Sequence, residues 1–237
     1  MTRRRWIADE ASGNRAALIG EHADHLVRVL RARVGQEFDI AAGDVVRRGR
    51  IVTIAGDRVE FELGEELPPA VAPDLTLLLS IFKFDRMEWA IEKCVELGVS
   101  RIVPVIARRT DAHLATAAGK RVERWRRIAL QAAEQSRRAL PTEIADPIAL
   151  REAAKLPGAL RIVLSESEQH ARLRDALAAE SPGAILLAVG PEGGWAEDEL
   201  KMFQESGWTS VSLGTTILRA ETAAIAAVAI AVSELSQ

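Results

Sequence analysis

Tyrosine is absent from the 237 residues, and aromatics make up only 4%. So sparse a set argues against a nucleic-acid surface built on stacked rings. The single cysteine, Cys94, excludes an internal disulfide and a multi-thiolate metal site. It sits in a helical pattern, which predicts a small buried apolar residue. Long hydrophobic runs are missing too: the longest late one, residues 223–232, is alanine-rich and too short to span a bilayer. The opening MTRRRWIADE is basic but lacks the apolar core of a signal peptide, so the cytoplasm is the expected compartment, with no membrane partner. With a net charge of −3, no global positive field draws the chain to nucleic acid.

What is present is an ordinary soluble composition, 48% apolar and 27% charged, on a chain long enough for one large domain or two small ones. Charge is uneven. Basic clusters occur at Arg3-Arg4-Arg5, at Arg47-Arg48 with Arg50, and from Lys120 to Arg138. The last holds Lys120, Arg121, Arg124, Arg126, Arg127, Arg137 and Arg138 against only Glu123 and Glu134. Such local surfaces suffice to grip phosphates, although the same arginines would equally solvate exposed faces.

The chain divides in two. Up to about Leu67, short β-branched runs at residues 37–40, 45–54 and 58–63 are separated by Gly43-Asp44 and Gly56-Asp57, the pattern of a strand meander or small barrel. One helix, residues 21–31, places Leu26, Val29 and Leu30 on one side. Residues 65–73, acidic and holding Pro68, Pro69 and Pro73, read as a stiff linker. Beyond it strands alternate with helices. Residues 75–81 are strand-like, and a helix at 86–97 ends on Gly98 as a left-handed cap. Residues 101–106 form a strand whose Pro104 demotes it towards an edge or bulge. A long helix at 120–139 has Val122, Trp125, Ala129 and Ala132 as its apolar stripe, with Arg127, Gln131, Glu134 and Arg138 opposite. Strands at 160–164, 184–189 and 209–213 and a last helix at 221–235 complete an α/β pattern, which implies a parallel sheet covered on both faces.

Ligands of such sheets bind at the carboxyl ends of the strands. Two of those ends are unusual. After residues 184–189 comes Gly190-Pro191-Glu192-Gly193-Gly194, where three glycines suggest that the backbone comes very close to something. After residues 209–213 comes Gly214-Thr215-Thr216-Ile217-Leu218-Arg219-Ala220-Glu221-Thr222, which re-enters a helix through arginine and glutamate. Two such loops, one strand apart, would form a crevice lined by backbone amides and carbonyls, suited to an adenine edge and a small polar tail. The G-x-G-x-x-G of dinucleotide sites, the Gly-Lys-Ser/Thr of a P-loop and the G-x-S-x-G elbow are all absent. His22 and His25 are three apart, but nothing completes a metal site around them. His113 and His170 stand alone. By elimination the chemistry uses a soluble organic cofactor and few ionisable side chains.

The pairing of "VGPEGGW" with "VSLGTTILRAETAAIAA" resembles the SPOUT methyltransferases, and within them the RsmE type, which methylates N3 of one uridine in bacterial 16S ribosomal RNA. "HADHLVRVLRARVGQ", "KFDRMEWAIEKCVELGVSRIVPV" and "RWRRIALQAAEQSRR" match in the same order, so the likeness runs nearly the whole length. It implies a PUA-like, RNA-binding β-barrel over residues 1–68. It also implies a methyltransferase domain over residues 74–237, a parallel sheet with a C-terminal trefoil knot, which binds S-adenosylmethionine and forms a homodimer. The RNA partner would be 16S ribosomal RNA, within the assembled small subunit. Family members commonly carry proline and a basic residue where this chain has Thr215 and Thr216. Many also show a Phe-Asp-Gly turn where it has Ile40-Ala41-Ala42-Gly43-Asp44.

On that resemblance Gly190, Glu192, Gly193, Gly194, Leu213, Gly214 and Thr222 would meet the cofactor, with Ile217 and Leu218 as apolar walls. Arg219 is the candidate for stabilising the uracil anion. The alternatives for it are a phosphate anchor or a salt bridge to Glu192 or Glu221. Glu221 would accept the imide proton if burial raised its pKa, or simply complement the helix dipole. RNA contacts would come from Arg4, Arg28, Arg31 and Arg138, the last beside Glu134, Gln135 and Ser136. Two other readings stay open: a related enzyme methylating a ribose 2′-hydroxyl, and a non-catalytic RNA-binding or ribosome-assembly module.

Overall fold

The computed structural model describes residues 5–43, 45–67, 74–136, 138, 141–178 and 183–235. Two compact units divide the chain, Met1–Val71 and Ala72–Gln237.

The first unit runs β1 (Arg5–Ile7), β2 (Glu10–Ser12), β3 (Arg15–Ile19), α1 (Glu21–Asp24), a π-helical turn (His25–Val29), β4 (Glu37–Ala42), β5 (Val45–Ala55) and β6 (Arg58–Leu67). The strands lie in the order β1-β4-β5-β6-β3-β2, antiparallel except for β1 against β4. Alternation buries Val59, Phe61 and Leu63 of β6 on one face, where they meet Trp6, Leu18, Leu26, Ile40 and Ile51. The long pair β5–β6 shifts register twice, and such irregularities bend and curl a sheet. Gly49 belongs to this geometry, because a Cβ there would lie 2.3 Å from Ile40 Cγ1.

Two expectations for this half need correction. The helix expected at 21–31 holds α-geometry only through Asp24 and then widens, with Leu30 N–H donating to His25 C=O at 3.1 Å. The wider winding swings Val29 out of the stripe, leaving it 64% exposed while Leu26 stays buried. The expected linker also begins too early. Glu66 and Leu67 are paired in β6 with Arg47 and Val46; the rest of it, residues 68–73, lies outside the described residues.

The second unit runs β7 (Leu75–Ser80), α2 (Phe84–Leu97), β8 (Arg101–Ile106), α3 (Ala112–Ala118), α4 (Val122–Gln135), β9 (Glu143–Ile144), β10 (Ile148–Ala149), α5 (Leu150–Ala153), β11 (Leu160–Leu164), α6 (Leu173–Ala178), β12 (Ile185–Val189), α7 (Glu197–Glu205), β13 (Thr209–Val211) and α8 (Ala220–Leu235). Every pairing in its sheet is parallel, in the order β10-β8-β7-β12-β11-β13, with β9 also against β8. The sheet is covered on both sides, as its apolar runs predict. Leu75, Leu77 and Leu79 face a core shared with α2, α4, α6 and α8, while Leu78, Val103 and Val105 face α5 and α7. The stripe Val122, Trp125, Ala129 and Ala132 is buried. Gly98 closes α2 at φ 113°. Cys94 is fully buried, which pushes its thiol up to about 12. Among the described residues, no helix is long and apolar enough to cross a membrane.

Pro104 does not mark an edge. β8 is paired on both sides, with β7 along its length and with β9 and β10 on the other flank. Val105 C=O accepts from Ile81 on the β7 side, so by alternation Pro104 faces the other flank. There β9 has ended at Ile144 and β10 starts only at Ile148, so the missing N–H falls in the gap.

Candidate active site

The carboxyl ends of β11, β12 and β13 open into one cavity of about 560 Å3, within the size range of small-ligand sites. The loops after β12 and β13 are indeed one strand apart, with β11 between them. Val189, Gly190, Pro191, Glu192, Gly194 and Trp195 form one wall; Leu213, Gly214, Ile217 and Leu218 form another. Ser165, Glu166 and Ser167, just past β11, form the floor between them.

The glycines of the first loop have separate reasons. Trp195 is buried and its indole N–H donates to Leu164 C=O at 3.0 Å, which fixes the ring against Gly190. A Cβ on Gly190 would lie 3.2 Å from that ring. Gly194 has φ 68°, and a Cβ there would lie 3.1 Å from Glu166 Oε1. Gly193 has neither restriction; its carbonyl accepts from Arg109 Nη1 at 2.6 Å. What the backbone approaches so closely is therefore the protein's own Trp195 and Glu166. Gly214, at φ 150°, turns the second loop with open space where a Cβ would stand.

Two carboxylates hold these loops in place. Glu199, buried in the first turn of α7, accepts from Ala196 N–H at 2.8 Å and from Arg108 N–H at 2.7 Å, tying the loop after β8 to the start of α7. Glu192 accepts from Arg86 Nη1 at 2.6 Å, and Arg86 Nε lies 3.9 Å from Glu221 Oε1. Glu221 is buried in the first turn of α8, and among the described residues its Oε2 has no hydrogen-bond partner.

Arg86 thus takes the two carboxylates considered for Arg219. Arg219 is exposed just ahead of α8, with no hydrogen bond or ion pair to its guanidinium among the described residues. Gly193, Arg219, Glu221 and Thr222 do not line the cavity, and Thr222 is exposed. Ile217, 79% exposed, and Leu218 line it from an open side. Arg109, Glu166 and Arg86 escaped the sequence reading. The strand-end rule that singled out residues 190–194 also points to Glu166, and Arg86 lies in the quoted "KFDRMEW".

The expected RNA residues fare unevenly. Arg4 lies outside the described residues. Arg28 is exposed and pairs with Asp24 at 3.2 Å; Arg31 is exposed, in the left-handed region at φ 52°. Arg138 is a correction. The helix ends at Gln135, and the Arg138 guanidinium is half-buried, donating to the carbonyls of Val95, Gly98 and Val99 and to Thr142 Oγ1. Burial lowers its pKa. It caps α2 from the side instead of facing solvent. Arginines in and just ahead of α4 are also engaged: Arg121 and Arg124 with Glu88, and Arg126 with Glu123 and Asp146.

A ligand crevice at the carboxyl edge of an all-parallel sheet, walled by glycine loops, defines a nucleotide-type binding domain of the α/β class. Residues 70–232 match the RNA methyltransferase domain family. The chain is 33% identical to a ribosomal RNA small subunit methyltransferase E of Rickettsia conorii, over 92% of this chain and 90% of that one. It is 34% identical to the same-named protein of Mycobacterium bovis, over 91% and 85%. Its structure superposes on a ribosomal RNA small subunit methyltransferase E from Neisseria gonorrhoeae bound to S-adenosyl methionine, with TM-score 0.64, 33% identity and 96% of each chain covered. A putative methyltransferase from Legionella pneumophila, in complex with the same cofactor, gives TM-score 0.64 at 26% identity, covering 97% of each chain. The chain belongs to the ribosomal RNA small subunit methyltransferase E family.

Proposed function

We propose that this chain transfers a methyl group from S-adenosylmethionine to N3 of one uridine in 16S ribosomal RNA. The observation that carries the reading is the cavity shared by the ends of β11, β12 and β13, in a chain of this family. The residues present fit the cofactor. Gly190, Gly194 and Gly214 offer main chain to an adenine edge, Val189, Leu213 and Leu218 offer apolar walls, and Glu166, Glu192 and Glu197 suit a cationic tail. When bound, the cofactor supplies an electrophilic methyl on sulfonium.

The protein's share is positioning and charge. N3 of uracil becomes nucleophilic only once its imide proton has left, and it lies on the pairing edge, so the target base must be unpaired. Arg219, exposed between the cavity-lining Leu218 and Ala220 and uncommitted to any carboxylate among the described residues, is assigned the role of stabilising the anion as it forms. Glu221 is assigned the role of an anchor for Arg86 and not that of the base, because it is buried beneath the loop and does not line the cavity. The first unit is read as a PUA-like barrel that grips RNA through exposed basic residues such as Arg28 and Arg31. The trefoil knot, the homodimer, the assembled small subunit as substrate and a cytoplasmic setting follow from the same reading.

The test is incubation of small subunits lacking the modification with the protein and isotopically methyl-labelled cofactor, then digestion of the RNA to nucleosides. Label in 3-methyluridine is expected; label in a 2′-O-methyl nucleoside, or none, would overturn the reading.

A further inference from the structure

Arg86 stands in the first turn of α2, where the helix dipole disfavours a cation, and its guanidinium faces two carboxylates from distant segments. Glu192 belongs to the glycine loop that walls one side of the cavity. Glu221 opens α8, directly after the loop that walls the other side. Glu221 is 5% exposed; among the described residues its Oε2 has no hydrogen-bond partner, and Arg86 is the cation within ion-pair range of its Oε1. One side chain of α2 therefore joins the two segments that line the cavity from the loop after β12 and from the start of α8. We infer that Arg86 is a positioning residue that sets the gap between the two loops and so pre-orders the cofactor crevice. The inference rests on the proposed cofactor.

A loop ordered beforehand loses less freedom on binding, and the ligand is held more tightly for it. Removing the Arg86 cation frees Glu192 and takes from Glu221 the cation within ion-pair range of it among the described residues. The pair with Glu192 is about one-third exposed on both sides, so its effect is bounded by that of partly solvated ion pairs.

Calorimetric titration of the purified protein with S-adenosylmethionine is the experiment, on wild type, Arg86→Met, Arg86→Lys, Glu192→Gln and Arg86→Met/Glu192→Gln. Arg86→Met and Glu192→Gln should each weaken binding by up to about fivefold. The double variant should be no weaker than the worse single one, because both changes break the same contact. Arg86→Lys should recover part of the loss. In steady state the KM for the cofactor should rise while the KM for RNA holds, a split that general loosening of the fold would not give. Unchanged affinity in both single variants, or strictly additive losses, overturns the positioning role. If Arg86→Met does not fold, Arg86→Lys and Glu192→Gln still decide the question, since wild-type affinity in both would reject it. Absence of saturable binding by wild type would instead sink the cofactor reading, and this inference with it.

Discussion

Arg219 and Arg138 are both arginines of family-like segments, and their surroundings give them opposite work. Arg219 has no partner for its guanidinium among the described residues, whereas Arg138 is bound to three carbonyls and a hydroxyl. Arg219→Ala should leave cofactor affinity intact and lower turnover by roughly 10²–10³-fold, as when one donor to a developing anion is lost. Equal turnover in a methyl-transfer assay would dismiss that role. Arg138→Ala should destabilise the fold by about 2 kcal/mol, because it strips half-buried carbonyls of a charged donor. Urea unfolding measures it; a loss of RNA affinity at unchanged stability would restore the RNA-facing assignment. Cys94 gives a pH signature. Its thiol is held protonated up to about 12 when folded but ionises near about 8.5 when unfolded. The folded state therefore holds the extra proton, so this contribution is complete below the ordinary thiol range and is lost as pH climbs towards 12. Thermal midpoints of wild type should fall more steeply across that window than those of Cys94→Ala.

At the scale of elements, Gly194 is where loop and chemistry meet. Gly194→Ala should cost about 1–2 kcal/mol from its left-handed backbone alone. Its Cβ would also press on Glu166, so cofactor affinity should fall with stability in the same calorimetric series. The strand–helix alternation, the buried stripe of α4 and the two glycine loops were all legible in the chain, because period and glycine placement are local signals. The misreadings arise where a distant partner decides. Pro104 reads as an edge residue until the gap between β9 and β10 is known, and Val29 reads as core until the π-turn rotates it. Arg86 was hidden for the same reason: its carboxylates lie more than a hundred residues along the chain. Nothing within a helical turn of it announces them.

At the scale of the molecule, each unit closes a core of its own. Trp6, Ile40 and Phe61 lie in one, and Trp125, Trp195 and Trp208 in the others. Saturating S-adenosylmethionine should raise the midpoint of the unfolding step reported by the second set of tryptophans, by linkage. No shift in that step would contradict a ligand site confined to the second unit. A crevice whose glycine walls present main chain has one more consequence. Side-chain drift along Thr215, Thr216 and Ile217 leaves its hydrogen-bonding face unaltered, so orthologues can diverge there without losing the ligand. A compound competing for the crevice would have to draw its discrimination from the few side chains that line it with charge, Arg109 and Glu166 among them, and not from the amides.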